Sequence, residues 1–158
     1  MSYIINIDTA TATAHVSIAQ DGKLLQALQN ESQKDHGAFV QTAIQQLLKA
    51  AALSFVDIDA IAVTAGPGSY TGLRVGLASA KGLCYALNKP LLTLNTLEVL
   101  TTAAKKFSNN QQGVLYCPMI DARRMEVFTA LYTDTLTALV PPCAMILNDT
   151  SFLTTLEK

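Results

Sequence analysis

The chain predicts a mixed β-sheet covered by helices, and three observations carry that expectation. Residues 3–29 hold three consecutive strand patterns. The turn between the second and third is Asp21-Gly22, a strong two-residue hairpin signal, because a type I′ turn needs positive φ at both positions. From Asp35 onward, helical and strand patterns alternate, the order expected when helices cover a sheet.

Taken in order, Tyr3–Ile7 is a compact apolar run, His15–Gln20 alternates with Val16 and Ile18 on one face, and Lys23–Gln29 follows. Asp35 is a candidate N-cap for a helix with Val40, Ile44, Leu47 and Ala51 on one face. Ile58–Ala65 reads as a buried strand, and the Gly-rich segment 66–72 follows it. A helix over 72–87 should stop before Asn88-Lys89-Pro90, since Pro disfavours continuing it. Leu91–Leu94 is a short strand and Thr96–Phe107 a helix capped by Asn95. The polar stretch 108–113 marks a boundary, giving lobes 1–108 and 109–158. Beyond it, Val114–Ile120 and Met125–Tyr132 read as strands joined by Asp121-Ala122-Arg123-Arg124. A Pro141-Pro142 break follows, then a short helix capped near Asp149 or Thr150.

Composition narrows the function classes. The chain has 158 residues, 50% hydrophobic and 15% charged, enough for a real core and too apolar for general disorder. No apolar run approaches the roughly 20 residues of a membrane span, and the start reads as a strand rather than a leader. Cys84, Cys117 and Cys143 have no paired spacing, so neither a disulfide framework nor a zinc knuckle is indicated. A soluble cytoplasmic protein is the expectation. With net charge -1 and only the basic pairs Lys105-Lys106 and Arg123-Arg124, it should reach nucleic acid through a partner, not alone.

Strand, Gly-rich turn, helix is an arrangement that cradles phosphates, because backbone N–H groups and the helix dipole converge there. A P-loop ends Gly-Lys-Ser/Thr, whereas this turn ends Thr71-Gly72-Leu73-Arg74. A dinucleotide fingerprint needs Gly where Thr71 stands and an acidic residue where Leu94-Asn95 stand. Two readings remain: a tight connection relieved by glycine, or a phosphate site.

The segment Ala62-Val63-Thr64-Ala65-Gly66-Pro67-Gly68-Ser69-Tyr70-Thr71-Gly72-Leu73-Arg74 resembles the signature of the TsaB (YeaZ) family. Asn6-Ile7-Asp8-Thr9, His36, the run 75–83 and Ile120-Asp121-Ala122-Arg123 fall in family order. The resemblance implies an actin-like (ASKHA, ribonuclease H-like) α/β fold of two similar lobes, each a mixed sheet with helices. Family members are longer, so the second lobe is expected to be incomplete in this chain. It also implies a part in making threonylcarbamoyl-adenosine in tRNA, beside a catalytic paralogue, TsaD, and an ATPase, TsaE, with a homodimer when alone and tRNA met only through the complex.

Actin-like ATPases place Asp-x-Gly-Thr/Ser after the first strand. Here Asp8-Thr9-Ala10-Thr11 keeps the Asp but puts a Cβ where backbone should approach phosphate, and Asp121-Ala122-Arg123-Arg124 also lacks the Gly. Asp8 and Asp121 are therefore expected to form turns rather than bind metal. Together with Thr9, Gly66, Gly68 and Ser69 they make a degraded phosphate turn. The catalytic paralogue is associated with a His-x-x-x-His metal pair, whereas this chain has only His15 and His36, far apart. Ser69 lacks the Gly-x-Ser-x-Gly elbow. No catalysis, metal or resident cofactor is expected. The alternative is an actin-like ATPase holding ATP or ADP with Mg²⁺ at a lobe or subunit interface, or a glycoprotease-type hydrolase.

The helix after the turn carries two stripes at about 100° per residue. Leu73, Leu77, Ala80, Cys84 and Leu87 form an apolar one. Gly72, Gly76, Ser79, Leu83 and Ala86 form a mostly small one, and Arg74, Lys81 and Tyr85 a narrow polar strip. The first helix has a second patch with Phe39 and Ala43. The expectation is that Leu73 and its stripe cover the lobe's own sheet. Phe39, Ala43, Gly72, Gly76, Ser79 and Leu83 then bind a partner, unless the two helices fill each other's grooves.

Overall fold

Alternating β-branched residues build the first sheet. The computed structural model describes residues 1–32, 35–109 and 111–152. β1 (Tyr3–Asp8), β2 (Ala14–Gln20) and β3 (Lys23–Asn30) pair antiparallel, and β4 (Ala60–Gly66) runs parallel to β1. With β5 (Leu91–Asn95) the order is β3-β2-β1-β4-β5. The register sets Ile5 beside Ile18 and Ile61, and Ile7 beside Val16 and Val63. All six are at most 1% exposed. Burying each such side chain stabilises by about 1.5–3 kcal/mol, so this layer anchors the lobe. The β2–β3 turn has φ of 48° at Asp21 and 77° at Gly22, the geometry its sequence demands.

Helix α1 (His36–Ala50) lays Val40, Ala43, Ile44, Leu47 and Leu48 on that layer. Asp35 holds its N-cap position, but its carboxylate makes no capping bond and instead accepts the Ser32 hydroxyl at 2.9 Å. Helix α2 (Tyr70–Leu87) begins two residues earlier than expected, because Ser69 serves as N-cap and its Oγ accepts the Gly72 N–H at 3.3 Å. It ends where Asn88 turns left-handed, two residues before Pro90. Among the described residues, no helix is long and apolar enough to cross a membrane.

The chain divides into two units, Met1–Leu94 and Asn95–Lys158, which corrects the expected boundary at residue 108. The reason is α3 (Thr96–Phe107), whose Leu97 packs with Ala130 and Tyr132 of the second unit. Its N-cap is Asn95, whose Oδ1 accepts the Leu97 N–H at 2.8 Å, as expected. In this unit β6 (Met119–Arg123), β7 (Glu126–Tyr132) and β8 (Ala138–Ile146) form an antiparallel sheet in chain order.

Three expectations shift here. The strand placed over 114–120 begins only at Met119, preceded by a single bridge between Tyr116 and Tyr132. Pro141-Pro142 does not break the chain but lies inside β8. That strand is an edge, and its register against β7 slips between Cys143 and Val140, so the missing N–H groups cost little. Where a helix was expected near Asp149, residues 149–152 form a turn, and the rest of that segment lies outside the described residues.

Candidate functional site: the Gly-rich turn and the faces of its helix

The Gly-rich turn connects β4 to α2, with Gly66 at φ +118°. Its interior is taken up by the loop after β1. The Ser69 N–H donates to the Ala10 carbonyl at 2.7 Å. A Cβ at Gly68 would collide with that same carbonyl oxygen, and one at Gly72 with the carbonyl of Thr9. Thr9 is fully buried and its hydroxyl donates to the Gly72 carbonyl at 2.7 Å. One turn on, a Cβ at Gly76 would collide with the Thr9 hydroxyl and lie 3.5 Å from Val63 Cγ2. The glycines let helix and loop close on each other inside one lobe.

Asp8 Oδ1 accepts the Ala10 N–H at 3.0 Å and the Thr64 hydroxyl at 2.9 Å. In the second unit, Asp121 Oδ1 accepts the Arg123 N–H at 2.7 Å. Both carboxylates thus bond backbone two residues on, the turn-forming geometry expected of them. Asp8, Thr9, Gly66, Gly68 and Ser69 come together at the turn. Asp121 belongs to the other unit.

His15 is exposed on β2, whereas His36 is buried at the start of α1 with Nε2 3.2 Å from the Ala12 carbonyl. That contact ties the β1–β2 loop to α1. Among the described residues, no three His, Cys, Asp or Glu side chains gather as metal ligands. A cavity of about 270 Å³ in the second unit is lined by Leu100, Thr101, Ala104 and residues 116–119, and includes none of the expected site residues. Burial raises the Cys84 thiol above the ordinary cysteine value.

The expected docking stripe is corrected by the same packing. Gly72 and Gly76 face Thr9, and Ala43 is 1% exposed in the core, so these three are committed inside the lobe. Phe39 and Leu83 are half-buried against the core. Ser79, also half-buried, accepts the Gln41 side-chain amide at 3.3 Å, joining α1 to α2. The glycine groove of α2 is thus filled by the loop after β1, while the Gln41–Ser79 bond links the two helices.

Of the residues α2 leaves to solvent, Tyr70, Arg74, Ala78, Lys81 and Tyr85 form one strip, with Thr71, Gly82 and Ala86 exposed beside it. Tyr70 is 74% and Tyr85 92% exposed. The Arg74 guanidinium lies 5.4 Å from the Tyr70 ring centroid and its Nη1 donates to the Tyr70 hydroxyl at 3.4 Å. The sequence holds the signal for this face: two tyrosines bracket a polar strip, where a solvated face carries few aromatics.

Residues 28–150 match the family model described as TsaD, tRNA N6-adenosine threonylcarbamoyltransferase. The tRNA threonylcarbamoyladenosine biosynthesis protein TsaB of Bacillus subtilis is 32% identical over 129 residues, 82% of this chain and 54% of that protein. Its Escherichia coli namesake is 34% identical over the same shares. A tRNA N6-adenosine threonylcarbamoyltransferase of Clostridium kluyveri is 48% identical over 65 residues, 41% of this chain and 19% of the enzyme. Among solved structures, YeaZ from Pseudomonas aeruginosa superposes with a TM-score of 0.85 at 25% identity, covering 94% of this chain and 70% of that one. The ethanolamine utilization protein EutJ from Carboxydothermus hydrogenoformans superposes at 0.51 with 14% identity, covering 99% and 56%, a likeness of fold alone. The chain spans about half the length of the curated relatives it matches. Its actin-like α/β fold, its Gly-rich signature and these relatives together place the chain in the TsaB (YeaZ) family.

Proposed function

We propose that this chain acts in tRNA threonylcarbamoyladenosine biosynthesis as a non-catalytic subunit. It docks the solvent face of α1 and α2 on a TsaD-type threonylcarbamoyltransferase, with a TsaE-type ATPase joining the pair. The observation that supports this reading is the occupied cradle. The Ser69 N–H, a donor that a phosphate turn could offer a ligand, is spent on the Ala10 carbonyl, and the close approaches at Gly68 and Gly72 are taken up by Ala10 and Thr9 of the same lobe. Turn chemistry used this way supports a scaffold more than a nucleotide enzyme. The relatives' names supply the pathway, and the exposed tyrosine-bracketed strip supplies the docking face.

Reconstitution with a TsaD-type subunit tests it. Ala78 is exposed at the middle of the strip, so Ala78→Trp leaves the lobe folded while blocking a close-packed face. The expected result is a wild-type complex by sedimentation and tRNA modification that both fail in A78W, with an unchanged unfolding transition. Modification by A78W at the wild-type rate removes the docking face from this reading, and a wild-type chain that neither pairs nor supports modification removes the reading itself.

A further inference from the structure

The outer surface of the α1–α2 pair has an unbalanced charge. Neither helix contains an Asp or Glu, and Lys49, Arg74 and Lys81 are all exposed. Asp35, just ahead of α1, is engaged by the Ser32 hydroxyl. On α2, Tyr70, Arg74, Ala78, Lys81 and Tyr85 fall within an arc of about 80° at about 100° per residue. The two cations therefore sit on one line, between the aromatic ends and beside a small residue. Arg74 is held over the Tyr70 ring, which limits the entropy it would lose on meeting a partner.

Resting on the docking role proposed above, we infer that the subunit received here presents carboxylates to Arg74 and Lys81, and that this pattern selects it over a second copy of this chain. Two copies joined through the α2 strip bring cations together with no carboxylate of either strip to offset them, whatever their relative rotation. A partner with acidic side chains gains an attraction that self-pairing forfeits. Complementary charge speeds encounter, and like charge suppresses the wrong partner.

The test uses the full chain with a TsaD-type subunit, titrated between about 0.05 and 0.3 M salt, a range over which surface charge becomes screened. Wild-type affinity should fall with salt, R74E/K81E should bind about tenfold or more weakly at low salt, and R74Q/K81Q should lie between. In sedimentation without the partner, wild type mixed with R74E/K81E should associate more tightly than either chain alone, because the reversed face supplies the missing carboxylates. A complex that forms but ignores salt, with both variants within about twofold of wild type, overturns this inference and leaves docking standing. A wild-type chain that forms no complex overturns both.

Discussion

Gly76→Ala is the sharpest probe of how α2 meets its own lobe. In an exposed helix interior the change stabilises by roughly 1 kcal/mol, because alanine is the better helix former. Here the new Cβ collides with the Thr9 hydroxyl, which is fully buried and bonded to the Gly72 carbonyl at 2.7 Å. Overpacking costs about 1–3 kcal/mol, and displacing a buried hydroxyl from its partner about 1–3 more. Net destabilisation, after the roughly 1 kcal/mol gained in helix propensity, should be about 1–5 kcal/mol. Gly82 lies on the same helix with open space where its Cβ would go, so Gly82→Ala should be neutral or stabilising by up to about 1 kcal/mol. Urea unfolding followed by circular dichroism measures both. A cycle with Thr9→Ala should recover part of the Gly76→Ala loss, since the colliding atom is gone. If Gly76→Ala matches Gly82→Ala, the small stripe is open rather than filled, and Gly76 returns as a docking residue. Larger substitutions at Gly76 test the fold before they test any interface.

Asp57 accepts the Ser54 hydroxyl at 2.6 Å and the Ser54 N–H at 2.8 Å, which hold its carboxyl below the ordinary value. A depressed acid contributes stability above its unfolded pKa and loses it as pH falls through the folded one. The unfolding midpoint of Asp57→Asn should therefore trail wild type at neutral pH, and the gap should close in acid, once pH has fallen past the ordinary aspartate value and through the lowered folded one. At the β6–β7 tip, Arg124 and Met125 have φ of 55° and 60° without glycine. Met125→Gly should raise stability by about 0.5–1 kcal/mol in the same urea assay, and Met125→Val should lower it.

Local chemistry was legible where a few neighbouring residues decide the outcome. Asp21-Gly22 set its hairpin, Asn95 its helix cap, and Asp8 its turn, each within two or three residues of sequence. What periodicity left open was which stripe of α2 faces inward. Both stripes fit the helical period, and a reading that puts Leu73 and Leu77 on the sheet leaves Gly72 and Gly76 for a partner. The structure turns the glycines inward because Thr9, 63 residues away from Gly72 in sequence, brings its carbonyl against Gly72 and its hydroxyl against Gly76. Leu77 still packs at the rim of the core. A close approach between main chains so distant in sequence leaves no pattern in either segment. The β8 prolines failed for a related reason: an edge position and a register slip depend on pairing, which composition does not encode.

Ala10 stands where the actin-like phosphate turn has glycine, which invites the reading that one methyl group closed the site. The geometry argues otherwise. What occupies the cradle is the Ala10 carbonyl, which receives the Ser69 N–H at 2.7 Å and lies where a Gly68 side chain would be. A carbonyl stays when the side chain goes. Ala10→Gly should therefore lose about 0.5–1 kcal/mol of stability, through added backbone freedom, and gain no nucleotide affinity. Calorimetry with ATP and Mg²⁺ on wild type, Ala10→Gly and Asp8→Ala decides it. Micromolar binding that appears in Ala10→Gly would show the loop yielding to phosphate once the methyl is removed. Binding already present in wild type and lost in Asp8→Ala would favour the nucleotide-enzyme reading. Heat no different from buffer in all three leaves the turn as a structural joint between the loop after β1 and the start of α2.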